Sequence, residues 1–166
     1  MLQPLVRRTW APRGQTPLLY SWARHDRLSA ISAITVSPKQ HRLGLYFDLK
    51  QHNIRTDDFE AFVRELLCHL PHGLILVMDR WPVHRSGARR FRRRLPRRVK
   101  IEWLPPYAPE LNPAEQVWNR SKYTDLANFI PDDIVDLSRE VYRSIRHMRC
   151  EQSLLKSFFK KAQLKL

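Results

Sequence analysis

Apolar positions along the chain switch between two periods, and the switches mark out the elements. Leu28 to Val36 carries Ile31, Ile34 and Val36 among small residues, and Leu43, Leu45, Phe47 and Leu49 alternate with Gly44, Tyr46 and Asp48. These are strand patterns, and the polar stretch Ser37 to Arg42 between them reads as the turn of a hairpin. Phe59, Phe62, Val63, Leu66, Leu67 and Leu70 then fall at helical spacing, with Thr56-Asp57-Asp58 at the start and Pro71-His72-Gly73 at the end. That stripe predicts one amphipathic helix, opened by side chains that accept from free amides.

Leu74 to Met78 is a continuous apolar run that reads as a strand buried on both faces, and it runs into Asp79. Ser86 to Leu95 is expected to form a short, very basic helix stopped by Pro96. Val99, Ile101 and Trp103 alternate with Lys100 and Glu102 as a further strand closed by Pro105-Pro106. A helix opens after Asn112-Pro113. Ile134, Leu137, Val141, Ile145 and Met148 share a face of a last amphipathic stretch, and Leu154, Leu155, Phe158, Phe159 and Ala162 continue the spacing. Strands interleaved with helices after an initial hairpin predict an α/β arrangement. Thr9 to Gly14 reads as a loop, and Trp103, Trp118 and Phe129 read as core residues.

At 166 residues the chain suits one domain, and with 43% hydrophobic residues it has enough apolar surface to fold. No apolar run approaches the roughly 20 residues of a membrane span, so no membrane partner is expected. The first residues lack a basic-then-apolar export pattern, and Cys68 and Cys150 are too few and too far apart for a disulfide framework. Both features fit a cytoplasmic protein. Thirty Lys and Arg against 16 Asp and Glu leave a formal charge of +14, and the pI is about 10.6. That excess points to a polyanion, with DNA the leading candidate. It is densest in Arg85, Arg89, Arg90, Arg92, Arg93, Arg94, Arg97, Arg98 and Lys100. As like charges at short spacing repel, this cluster reads as a phosphate-backbone surface rather than a solvated helix face.

Two carboxylates stand where chemistry is expected. Asp79 ends a buried strand, at the edge where open α/β sheets bind ligands, although it could equally cap the next turn. Glu115 has a bland reading too: Asn112 as N-cap, Pro113 at the first helical position and Glu115 reaching back to the cap amide. The functional reading is that the two acids face each other and hold Mg²⁺, a hard cation suited to carboxylates, water and phosphate oxygens. His84 could contact a scissile phosphate or be an ordinary loop residue. Tyr107 could touch DNA. The other histidines show no zinc-like pairing with cysteine.

The run Leu104-Pro105-Pro106-Tyr107-Ala108-Pro109-Glu110-Leu111-Asn112-Pro113-Ala114-Glu115-Gln116-Val117-Trp118 strongly resembles the signature of DDE-type transposases. It is most similar to that of bacterial insertion-sequence relatives of the mariner elements. The 35 residues between Asp79 and Glu115 suit that family, as do His84 five positions after Asp79 and the segment Thr9 to Pro17. The resemblance implies a ribonuclease H-like mixed sheet flanked by helices. It also implies two divalent ions, Mg²⁺ or Mn²⁺, held by three acids, with water and then a DNA 3′-hydroxyl attacking phosphodiesters.

The family's first catalytic Asp lies on a central strand preceding the segment that matches Leu2 to Pro17. Neither Asp26 nor Asp48 occupies that place. The expectation is therefore a single catalytic domain over residues 1–166 without the first central strand and without the helix-turn-helix region that reads element ends. Its metal binding would be weak and its sheet edges unpaired. An upstream transposase fragment or a second copy would complete it, or it would act as an inactive basic DNA-binding protein or regulator in a bacterial nucleoid.

Overall fold

The computed structural model describes residues 10–15, 18, 27–38 and 42–165. Strand β1 (Ser29–Val36) and strand β2 (Leu43–Lys50) form an antiparallel hairpin, in register from Val36 opposite Leu43 to Ser29 opposite Lys50. Helix α1 (Thr56–His69) leads to strand β3 (Leu74–Met78), helix α2 (Pro82–Arg94) and strand β4 (Val99–Trp103), which lies parallel to β3. After a 3₁₀ turn at Pro109–Leu111 come helix α3 (Pro113–Arg120), a π turn at Ser121–Asp125, helix α4 (Ile134–Cys150) and helix α5 (Gln152–Lys161). Thr9, Thr16, Pro17, Asp26 and part of the hairpin turn lie outside the described residues. Within the described part of the first loop, Gln15 N–H donates to Pro12 O at 3.0 Å and makes a turn.

Two apolar cores organise these elements. Leu43 and Leu45 pack with Val117, Val141, Ile145, Met148, Leu155, Phe158 and Phe159, which joins the hairpin to α3, α4 and α5. Phe59, Val63, Leu67, Met78, Ala88, Phe91, Val99 and Ile101 join α1 and α2 to β3 and β4. Strand β1 serves both, because its side chains alternate: Ile34 packs on the first core and Ile31 on the second. The layers are thus α1 and α2 on one side of the strands and α3 to α5 on the other.

Among the described residues the strands form two separate pairs, β1 with β2 and β3 with β4. The expectation that β3 is buried on both faces is corrected. Leu74, Leu76 and Met78 meet the second core, whereas Ile75 and Val77 are 65% and 57% exposed. Helices α3 to α5 pack over the hairpin and leave that face of β3 bare. Its register partners on β4, Lys100 and Glu102, pair with each other at 3.1 Å. An unbroken apolar run does not by itself tell which face of a strand is covered.

Several local choices fix this packing. Helix α2 starts four residues earlier than its apolar pattern predicts, because Pro82 sits at its first position, where a missing N–H costs nothing. Gly87, inside α2, lets that helix approach α1 so closely that a Cβ there would overlap the Phe59 ring. Gly73 turns the chain into β3 at a φ of 88°, with the Arg98 carbonyl where a side chain would be. The backbone of Leu43 is clamped by the Gln152 side chain, whose Oε1 accepts from Leu43 N–H at 2.9 Å and whose Nε2 donates to Leu43 O at 2.8 Å. This amide takes up the backbone groups of one residue, Leu43, at the start of the outer edge of β2.

Candidate active site

Asp79 follows β3 directly, at the carboxyl edge shared by the parallel strands. Leu104 N–H donates to Met78 O at 2.9 Å, so the ladder continues one step past Trp103. The chain leading to Glu115 therefore leaves the sheet beside Asp79. The carboxylate of Asp79 is half exposed, and its Oδ1 accepts from Trp81 N–H at 2.9 Å. The same oxygen lies 2.7 Å from His84 Nδ1, on the first turn of α2. Oδ2 has no partner among the described residues. Phe59 and Trp81 hold the His84 ring, with centroids at 4.8 and 5.3 Å, so the imidazole that orients Asp79 is itself wedged between two aromatic rings. Asp79 thus both shapes its turn and presents an unengaged oxygen at the sheet edge. The sequence alone left those two readings as alternatives.

Glu115 lies at the third position of α3 and is half-buried. Asn112 is the N-cap, accepting from Ala114 N–H at 3.1 Å, and Pro113 opens the helix as expected. The reach of Glu115 back to the cap amide is not made. Asn112 N–H donates instead to Pro109 O at 3.0 Å, because the 3₁₀ turn before the helix has already engaged it. Among the described residues the Glu115 carboxylate has neither a hydrogen bond nor an ion pair. Asp48, the other described acid weighed for the site, is on β2 and pairs with Lys50 at 2.9 Å. No group of three His, Cys, Asp or Glu side chains among the described residues is spaced to hold a metal ion. Asp79 and Glu115 each have an unengaged oxygen, a hard donor of the kind a Mg²⁺-like ion takes together with water and phosphate oxygens.

The basic cluster divides in two. Glu60, only 8% exposed, receives Arg94 Nη1 at 2.8 Å, Arg64 Nη2 at 2.7 Å and Arg90 Nη1 at 3.1 Å, and Arg90 also binds Asp57. The Arg64 hydrogen bond first, and those of Arg90 and Arg94 after it, hold the Glu60 carboxyl down at about 2 against the opposing effect of burial. Arg98 donates to Leu67 O at 3.3 Å, and Lys100 pairs with Glu102. Arg90 and Arg94 thus fasten α2 to α1, and Arg98 ties the turn before β4 to α1, whereas the Lys100 pair lies within β4. By contrast, Arg85, Arg89, Arg92, Arg93 and Arg97 are exposed and have no acidic partner among the described residues. Ser86, Arg89, Arg90 and Arg93 line a shallow concavity of about 330 Å³ on the same helix. Sequence reasoning did not single out Glu60 as a hub or Phe59 and Trp81 as supports of His84. The i, i+4 spacing of Glu60 and Arg64 was its only visible trace.

Comparison with known proteins agrees with this fold. The fold is similar to that of the Mos1 transposase paired-end complex with left transposon end, at a TM-score of 0.60 and 14% identity, over 96% of this chain and 47% of that one. It is similar too to the Mos1 strand transfer complex, at 0.55 and 14%, over 96% and 46%. At such identity the likeness is one of fold, the ribonuclease H-like α/β arrangement, and this chain spans about half the length of either relative. No curated protein matches the sequence. The family described as DDE superfamily endonuclease matches residues 1–137, which include β1 to β4, Asp79 and Glu115. The chain belongs to the DDE superfamily endonuclease family.

Proposed function

We propose that this chain is the catalytic domain of a transposase, acting on DNA phosphodiesters with Mg²⁺ or Mn²⁺. The observation that carries this reading is Asp79: a carboxylate at the carboxyl edge of parallel strands, aimed by His84 and the Trp81 amide with one oxygen left unengaged. Asp79 Oδ2 and Glu115 would hold the cation between them. Such an ion polarises a phosphoryl oxygen and makes its bound water a better nucleophile. His84 fixes the Asp79 rotamer, so that its second oxygen is presented without reorganisation. Arg85, Arg89, Arg92, Arg93 and Arg97 supply backbone contacts that hold a duplex against α2 without reading its sequence. In a bacterial cell the nucleoid would be where such a domain meets its substrate.

Two features favour a second reading, in which the chain alone is an inactive DNA-binding regulator. Only Asp79 and Glu115 of the three acids implied by the family stand in the described residues, and the strands form two pairs rather than one sheet. A strand from an upstream fragment or from a second copy would bridge the pairs and bring the third acid. Nicking of supercoiled plasmid in Mn²⁺ decides between the readings. Nicking that Asp79→Asn and Glu115→Gln each abolish supports the enzyme. Salt-sensitive DNA binding without nicking supports the regulator. Mn²⁺ affinity unchanged by either substitution would end the shared-cation site.

A further inference from the structure

Two buried hydroxyls link α4 to the π turn that follows α3. Ser121 opens that turn and Ser144 lies on α4; they are 2% and 8% exposed, with their Oγ atoms 3.0 Å apart. Ser144 donates to Asp125 Oδ2 at 2.8 Å, which uses its one hydrogen, so Ser121 is the donor to Ser144. Asp125 Oδ1 accepts from Arg120 Nε at 2.9 Å, so both oxygens of this carboxylate are taken. The π turn makes this closure possible. Leu126 N–H donates to Ser121 O at 2.8 Å, one residue further on than in an α-helix, and the extra residue brings Asp125 round to α4. Such turns recur at functional sites.

Val117, Val141 and Ile145, near these residues along α3 and α4, belong to the first apolar core. Replacing a buried polar group and its partners by apolar side chains is often neutral or stabilising, so stability alone does not call for this network. Hydrogen bonds add direction, which apolar contact lacks. The helix that receives this direction carries Glu115 in its first turn. The capping bonds of Asn112 join α3 only to Pro109 and Ala114, its own neighbours in sequence. Glu115 lies about 9 Å along the axis from Ser121, so a tilt of about 10° there shifts it by about 1.5 Å. A Mg²⁺-like ion, with its ligands at about 2.1 Å, tolerates far less.

We propose that Ser121, Ser144 and Asp125 are positioning residues that lock the orientation of α3 and so present the Glu115 carboxylate to the divalent ion. This rests on the shared-cation reading above and adds the device that aims its second acid, as His84 aims the first.

The test measures Mn²⁺ affinity of the 166-residue chain by electron paramagnetic resonance, beside a thermal melt of each variant. Ser144→Ala and Asp125→Ala should each bind Mn²⁺ roughly tenfold more weakly. Asp125→Asn, which still offers Ser144 an oxygen, should stay within about twofold of the wild type. Val141→Ala lies in the same core outside the hydroxyl chain, and it should lower the melting temperature without that loss of affinity. If Ser144→Ala does not fold, Asp125→Ala against Asp125→Asn makes the same comparison at a side chain nearer the surface. Wild-type Mn²⁺ affinity in folded Ser144→Ala or Asp125→Ala would overturn the positioning role and leave the shared cation standing. So would an equal loss in Val141→Ala at a matched melting temperature, because affinity would then follow core stability alone. Mn²⁺ affinity that Glu115→Gln leaves unchanged would overturn both.

Discussion

The hairpin half of the molecule, with α3 to α5, and the parallel half, with α1 and α2, solve the same packing problem with different completeness. In the first, the hairpin has an apolar face against three helices, and Gln152 holds the backbone of Leu43 at the start of β2. In the second, β3 and β4 are covered on one face only, and Ile75 and Val77 remain in water. Each half has its own core, and contacts between the halves are few: Ile31 on the second core and the Tyr46 ring 5.5 Å from that of His69. Asp79 belongs to the parallel half and Glu115 to the hairpin half. Either acid can thus be well positioned within its own half while the relation between them depends on the seam.

The sharpest way to break this comparison is to damage one core and watch the other. Phe91→Ala should cost about 3–5 kcal/mol, since the ring is fully buried. Hydrogen exchange resolved along the chain should then rise across 56–103 while 134–161 stays protected. A uniform rise would show that the halves unfold as one unit.

Glu60→Gln should come next, at about 2 kcal/mol, because three partly exposed arginines would lose their shared counter-charge. The carboxyl is lowered from 4.5 to about 2 on folding, so its contribution is complete above about pH 4.5 and lost as the pH falls through about 2. Acid titration should show that loss in the wild type and a flatter profile in the variant.

Gly87→Ala should cost about 1–3 kcal/mol by pushing α2 off the Phe59 ring. As Phe59 also holds His84, the variant should weaken Mn²⁺ binding more than a substitution of equal cost in the hairpin half, such as Val141→Ala. Equal loss in both would detach Asp79 from its aromatic support.

The smallest effect on stability separates the arginines. Arg93→Ala should change stability by no more than about 0.5 kcal/mol and reduce the salt dependence of DNA binding by about one phosphate contact. Arg94→Ala should destabilise α2 through the loss of its bond to Glu60. Thermal melts together with binding at two salt concentrations distinguish them.

Much of this was legible in the chain. The stripes that predicted α1, α4 and the hairpin lie within an element or between sequence neighbours, where spacing alone decides which residues share a face. Asn112 and Pro113 opened α3 as their chemistry dictates. The division of the arginines was hidden, because Arg90 and Arg93 are indistinguishable as letters and differ only in which one faces Asp57 and Glu60. Glu115 misled for a related reason. A capping box is a local pattern, but the preceding turn consumed the amide it needed.

The sequence by itself determined the order and type of the elements, the excess of positive charge and the presence of an acid at the end of β3, because these follow from side-chain period, formal charge and local steric preference. Tertiary structure alone decided which face of β3 is covered, which cations are spent on Glu60, and that Asp79 and Glu115 sit on different cores. Those outcomes depend on which surfaces meet across long separations in the chain, and no local period encodes that.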